Sequence, residues 1–260
     1  MSKTFRSALL QRQVVLGSWL QINNPTSAEV LANVGWDWIA IDIEHTDIDV
    51  ASLTALLRGM YGRGVAAIAR VSTNDTIEIR RALDVGAQGV LVPFVSTAEQ
   101  ARRAVAAAKY PPWGVRGYSF SRANEWGTRF AEDVQTANDE TVVITMIESK
   151  EGVENIDEIV AVEGLDAIFI GPYDLSGSYG IPGQTQDPIV RDACRRVIEA
   201  CERAGKSVGL LVVRPTEAAI RTVIEDGFNL LCLGLDTVFL DEGARATRAA
   251  ALALLQAQGA

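Results

Sequence analysis

A histidine, an arginine and several carboxylates, each placed at or just after a short apolar run, are the residues of this 260-residue chain whose types and spacing could do chemistry. Asp42, Glu44 and His45 end the run IAIDI, Arg70 ends AAIARV, Glu148 follows ITMI and Asp174 follows IFIGPY. His45, the chain's single histidine, can titrate near neutrality, so with Asp42 or another acid fixing its tautomer it could act as a general base. It could equally be a satisfied loop histidine. Arg70 could stabilise a developing oxyanion or hold a substrate carboxylate, or pair with Asp42, Glu44 or Glu148. Glu148 and Asp174 offer hard oxygen ligands without a supporting Cys or His, which favours Mg²⁺ or Mn²⁺ with water and a bidentate substrate completing an octahedron. As solvated loop acids, or partners of Arg70 and Arg214, they would hold no metal, and residue types alone leave both readings open.

Eight β-branched or apolar runs, beginning near Val15, Ile39, Ala66, Gly89, Val142, Asp166, Val208 and Leu230, alternate with stretches of helical periodicity. That alternation is the sign of βα units around a parallel sheet. Eight units in 260 residues fit a single-domain (β/α)8 TIM barrel over 1–260, with an inserted loop at 110–140 and an Ala/Leu-rich C-terminal helix at 244–260. Helices are expected over 27–34, 49–61, 75–83, 97–109, 153–160, 188–204 and 216–225, with caps at Asn74 and Thr97. Gly35, Gly62, Gly86, Gly205 and Gly227 sit where helices should end. In a barrel the C-terminal ends of the strands carry the reactive side chains. Trp19, Gln21, Pro93, Phe94, Gly171, Pro172, Tyr173, Arg214 and Asp236 therefore join the acids, His45 and Arg70 at one rim.

The formal charge of −9, from 24 basic and 33 acidic residues, has the wrong sign for neutralising phosphates, so nucleic acid and anionic membranes are not expected partners. No run approaches a membrane span. Residues 1–13 lack the apolar stretch of a secretory signal. Three cysteines match neither a disulfide framework nor a zinc pattern, which points to a reducing, cytoplasmic setting. The four lysines (Lys3, Lys109, Lys150, Lys206) avoid strand interiors, which disfavours an imine mechanism. The loops after the seventh and eighth runs lack phosphate-binding glycines, so a non-phosphorylated acid is expected. The long segment containing Arg116, Arg122 and Arg129 among aromatics reads as a lid or subunit contact.

The residues 17–25 (GSWLQINNP), 36–45 (WDWIAIDIEH), 69–75 (ARVSTND), 80–95 (RRALDVGAQGVLVPFV), 109–117 (KYPPWGVRG), 148–159 (ESKEGVENIDEI) and 171–184 (GPYDLSGSYGIPGQ) together resemble the HpcH/HpaI family of metal-dependent class II aldolases, which act on 2-oxo acids. The resemblance spans Leu16 to Asp236. It implies Glu148 and Asp174 as metal ligands (Mg²⁺ or Mn²⁺, with Co²⁺ an alternative), His45 as base, and Arg70 as the group that stabilises the enolate. It further implies Asp42 and Asp84 as acids supporting the histidine, and the segment Gly171, Pro172, Tyr173 and Asp174 as receiving the substrate carboxylate; Trp19, at the end of the first run, is expected to contact substrate from its position. It also implies a hexamer whose last helix is exchanged between paired subunits. Where the family commonly has Gln, this chain has Met146, which removes a polar contact near the oxo acid. The expected activity is reversible cleavage of a 4-hydroxy-2-oxo acid to pyruvate and an aldehyde. Decarboxylation of oxaloacetate or another carbon–carbon reaction through the same enolate, and a binding barrel without turnover, are the alternatives.

Overall fold

The computed structural model describes residues 4–258. Eight parallel strands, β1 (Val15–Leu20), β2 (Trp38–Asp42), β3 (Ala66–Arg70), β4 (Gly89–Val92), β5 (Val142–Ile147), β6 (Ala167–Ile170), β7 (Ser207–Val212) and β8 (Leu230–Leu235), close into a barrel in sequence order, β8 pairing with β1. Helices lie between them, as expected for a TIM barrel. Side chains alternate along β2, β3, β5 and β6, while the β1–β8 ladder shifts register between Gly17 and Trp19. Trp38 and Ala40 of β2, Ala66 and Ile68 of β3, Val142, Ile144 and Met146 of β5, and Ala167 and Phe169 of β6 fill the interior. Ile39, Ile41, Ala67, Ala69, Val143 and Ile168 face the helices instead. Carrying the inward parity one step further gives Asp42, Arg70, Glu148 and Gly171. The strand period thus delivers four positions of the site over the barrel axis.

The opposite mouth is closed by a helix that the sequence reading did not anticipate, Phe5–Leu10, capped by Thr4. Phe5 stacks on Trp38 at 6.1 Å, Leu9 is fully buried, and Arg6 pairs with buried Asp166 at 2.8 Å. The closure is tight: a Cβ on Gly17 would stand 2.3 Å from the Trp38 indole nitrogen.

Four expectations need correction. The inserted segment is not a plain loop, since a 3-10 turn (Arg122–Gly127) leads into a helix, Phe130–Glu140. That helix buries only Ala137, so its apolar periodicity was too thin to read. The segment packs against the end of the Thr76–Asp84 helix, where Arg122 donates to the Val85 carbonyl and Arg116 pairs with Asp84. A helix running back along the barrel ends at the N-terminal face, so the insertion is no lid over this chain's own catalytic mouth. Asp75, not Asn74, caps Thr76–Asp84, because its carboxylate accepts from the Ile77 and Glu78 amides while Asn74 donates to the Gln100 carbonyl. The expected 153–160 helix is two short helices, Lys150–Glu154 and Ile156–Val160. The last helix starts at Asp236, directly from β8, and is followed to Gln258; residues 259–260 lie outside the described part. The capping box at Thr97 and Gln100, and positive φ at all five expected helix-ending glycines, are present.

Candidate active site

The site begins where β2 and β3 end. Asp42 and Arg70 are direct partners in the parallel register. Arg70 Nε donates to Asp42 Oδ1 at 3.0 Å and Nη2 to Oδ2 at 2.6 Å, a two-point pair that fixes the guanidinium plane. Trp19 Nε1 and Gln21 Nε2 each donate to Asp42 Oδ2 at 3.1 Å, and the guanidinium carbon sits 4.7 Å from the Trp19 ring centroid. Burial pushes the fully buried Asp42 carboxyl up, but the Arg70 hydrogen bond and charge, with the Gln21 and Trp19 donors, outweigh it and hold it below its usual value. Trp19, expected to touch substrate, is 3% exposed and serves as the platform under Arg70.

The turn after β2 hangs on the same aspartate. Its Oδ1 accepts from the Glu44 and His45 amides at 3.2 and 3.1 Å, and the Thr46 hydroxyl bonds its carbonyl. Asp42 thereby supports the histidine's main chain, not its ring. The carboxylate beside the ring is Glu44, whose Oε2 lies 3.7 Å from His45 Nε2 and 2.9 Å from Arg70 Nη1. The expected pairing of Glu44 with Arg70 is present; its place beside the imidazole is new, because sequence spacing cannot say which of two nearby acids turns toward the ring.

Glu148 is 4% exposed, and Phe94 N donates to its Oε2 at 3.0 Å. Phe94 adopts φ +50° to make that contact, a left-handed backbone that is uncommon outside glycine. Burial first, then the charges of Asp174 and Glu44, against the Phe94 amide and Arg70, raise the Glu148 carboxyl to about 7. Gly171 makes room for it, since a Cβ there would stand 2.6 Å from Glu148 Oε1. Asp174 lies in the first turn of the helix Pro172–Ser178, is exposed, and is close enough that its charge raises both Glu148 and Glu44. A buried carboxylate with one amide donor, facing further carboxylates, is a donor set that a hard divalent cation would satisfy. No cluster of three or more metal-type side chains exists among the described residues.

Tyr173 is 71% exposed at the rim, and the first-turn amides of its helix have no intrahelical acceptors. Asp84 is not near His45 in this chain. It ends its helix at the far face and pairs with Arg116 at 2.9 Å; the helix direction, invisible to motif matching, separates them. Asp236 accepts the Gln21 and Ile22 amides and the Ser27 hydroxyl, which makes it the anchor of the β1 loop. Arg214 pairs with Glu242 on the surface.

The family profile described as HpcH/HpaI aldolase/citrate lyase matches residues 15–241. The chain belongs to the HpcH/HpaI family. It is an enzyme, a carbon–carbon lyase of the aldolase group. Among its HpcH/HpaI relatives, a 5-keto-4-deoxy-D-glucarate aldolase of Escherichia coli O139:H28 is 40% identical over 233 residues, covering 89% of this chain and 90% of that one. An HpcH/HpaI aldolase/citrate lyase family protein from Burkholderia cenocepacia J2315 superposes with a TM-score of 0.90 at 32% identity, over 97% of this chain and 99% of that chain. The citrate synthase SbnG superposes at 0.87 with 31% identity, over 98% and 100%. No helix among the described residues is long and apolar enough to cross a membrane.

Proposed function

We propose that this aldolase reversibly cleaves a non-phosphorylated 4-hydroxy-2-oxo acid to pyruvate and an aldehyde, with 5-keto-4-deoxy-D-glucarate the first substrate to try. That compound has its ketone beside one carboxylate, a methylene next, and a hydroxyl on the following carbon. Breaking the methylene–carbinol bond yields pyruvate and 2-hydroxy-3-oxopropanoate. The observation that carries the reading is the buried Glu148, accepting from the Phe94 amide, on the rim where Glu44 lies between Arg70 and His45.

Glu148 and Asp174 would hold Mg²⁺ or Mn²⁺, with Co²⁺ a further option, and the bound cation would supply Lewis acidity at the 2-oxo group. The Tyr173 and Asp174 amides, with Gly171 and Pro172 shaping the turn, receive the substrate carboxylate. His45 takes the hydroxyl proton, and Arg70 donates to the oxygen that becomes an enolate, a contribution of about 2.7 to 4 kcal/mol for such a donor. Asp42 keeps Arg70 oriented. An enolate route also fits the lysines. Lys109 donates to the Asn138 and Thr141 carbonyls and Lys206 to the Leu165 carbonyl, so both ammonium groups are held by main chain, and Lys150 is an exposed surface lysine beside Glu154 rather than a desolvated one. Met146, buried in the barrel interior, leaves the oxo acid without the side-chain amide common in the family.

Pyruvate release from 5-keto-4-deoxy-D-glucarate, measured with and without chelator and with Mg²⁺ or Mn²⁺ restored, tests this. Cleavage that persists in chelator with no response to added metal overturns it. The likeness to a citrate synthase favours one second reading, carbon–carbon bond formation or oxaloacetate decarboxylation through the same enolate, and oxaloacetate as substrate decides between them.

The last helix leaves Leu240, Leu252, Leu254 and Leu255 exposed, the Glu217–Glu225 helix buries no residue fully, and β7 is only half-covered at Leu210–Val212. These faces support an assembly, a hexamer with exchanged last helices, which light scattering of the purified chain tests. Burial raises the thiols of Cys194, Cys201 and Cys232, as expected of inert core cysteines in a cytoplasmic enzyme.

A further inference from the structure

His45 presents an imidazole that is 61% exposed, and the carboxylate within ion-pair range of it is Glu44, itself 9% exposed. One oxygen, Glu44 Oε2, faces His45 Nε2 at 3.7 Å and Arg70 Nη1 at 2.9 Å. Asp42 already holds Arg70 through both of its own oxygens. Glu44 adds a third contact to the guanidinium, and the same oxygen lies within charge range of the imidazole, so it bridges the two groups.

We propose that Glu44 is a positioning residue that ties the base to the arginine and stabilises the imidazolium formed during cleavage. The proposal deepens the reading of His45 as base and rests on it. As the hydroxyl proton moves to the imidazole, the oxygen's electron pair forms the aldehyde C=O. The breaking carbon–carbon pair becomes the C2=C3 bond, and the ketone's π pair moves to its oxygen beside Arg70. A cation thus appears at His45 while an anion appears near Arg70, and Glu44 lies between the two. In the reverse direction the imidazolium returns its proton to the aldehyde oxygen. At 3.7 Å Glu44 acts on the ring by charge rather than by a hydrogen bond. The charged groups facing Glu44 are Arg70 on β3, His45 and Asp42 on its own strand and turn, Asp174 after β6 and Glu148 after β5.

The test uses the full chain loaded with Mg²⁺ and compares two reactions. Cleavage of 5-keto-4-deoxy-D-glucarate requires a proton to be taken from a hydroxyl; decarboxylation of oxaloacetate does not. In Glu44→Gln, which keeps the shape and an acceptor for Arg70, kcat for cleavage falls about 10²-fold with KM little changed. Decarboxylation falls far less, by about threefold. The acid limb of the cleavage pH profile shifts in the variant. Glu44→Asp, which restores the charge, recovers most of the loss. An equal fall in both reactions with an unmoved acid limb would overturn the proposal, leaving Glu44 as a structural partner of Arg70. His45→Asn separates the two possible failures. If it cleaves normally, the base reading falls and takes the proposal with it. If it loses cleavage while Glu44→Gln behaves as wild type, the Glu44 proposal alone falls.

Discussion

Asp42 and Arg70 stand opposite each other in the β2–β3 register and close a two-point ion pair in which the aspartate is fully buried. The same aspartate also holds the turn that presents Glu44 and His45. One carboxylate therefore sets the plane of the arginine and the path of the chain carrying the histidine, so disturbance at either strand end reaches both.

Arg70→Lys keeps the charge and loses the fork. Cleavage is expected to slow about 10²-fold, with the melting temperature shifted modestly because a cation still faces Asp42. Steady-state kinetics on the metal-loaded variant check this, and an unchanged kcat would remove the guanidinium from the mechanism.

Gly171→Ala isolates the room that Glu148 needs. The backbone there has φ −103°, open to any residue, so the added methyl acts through its 2.6 Å approach to Glu148 Oε1. Mn²⁺ affinity measured by calorimetry is expected to fall about tenfold or more, with the circular dichroism spectrum unchanged. Wild-type affinity would mean that this carboxylate is not a ligand.

The barrel and the rim were legible in the sequence because its strands are short apolar runs, buried on both faces, that end in polar residues: WIAID closes on Asp42, and VVITMI runs straight into Glu148. What lay beyond reach depends on helix direction and side-chain turn. Asp84 sits in a motif matching the family, yet its helix carries it to the opposite face. Trp19 looked like a substrate contact because it ends a strand, but its inward position buries it under Arg70. Glu44 and Asp42 could not be ranked as neighbours of the imidazole without coordinates. The Phe130–Glu140 helix escaped because it turns a single buried residue, Ala137, toward the core.

Arg6→Ala tests the closure of the far mouth independently of catalysis. It leaves Asp166, whose side chain is fully buried, without its partner, a loss normally worth about 3–5 kcal/mol. The Val143 amide still donates to Asp166, and the charges of Lys109 and Lys206 still act on it, so the low end applies. The melting temperature should drop by about 6 to 12 °C while kcat at 25 °C is retained. A large fall in kcat at full folding would mean that the plug communicates with the catalytic rim.

Metal and pH should act on stability through Glu148. Its carboxyl is raised from 4.5 to about 7, with burial the largest cause. For a group raised on folding, the favourable contribution is complete below the unfolded value and is lost as pH climbs through the folded one. Chelator-treated protein should therefore lose on the order of 3 kcal/mol between about pH 4.5 and 7 from this group, then level off. A divalent cation needs the ionised carboxylate, so binding below pH 7 must displace a proton. Mg²⁺ should raise the melting temperature strongly at pH 8 and weakly at pH 5. In Glu148→Gln the buried charge is gone, so the chelated variant should melt above chelated wild type at pH 8 and respond little to Mg²⁺. Differential scanning calorimetry at the two pH values measures all four quantities. Equal Mg²⁺ stabilisation of wild type and Glu148→Gln would place the cation elsewhere.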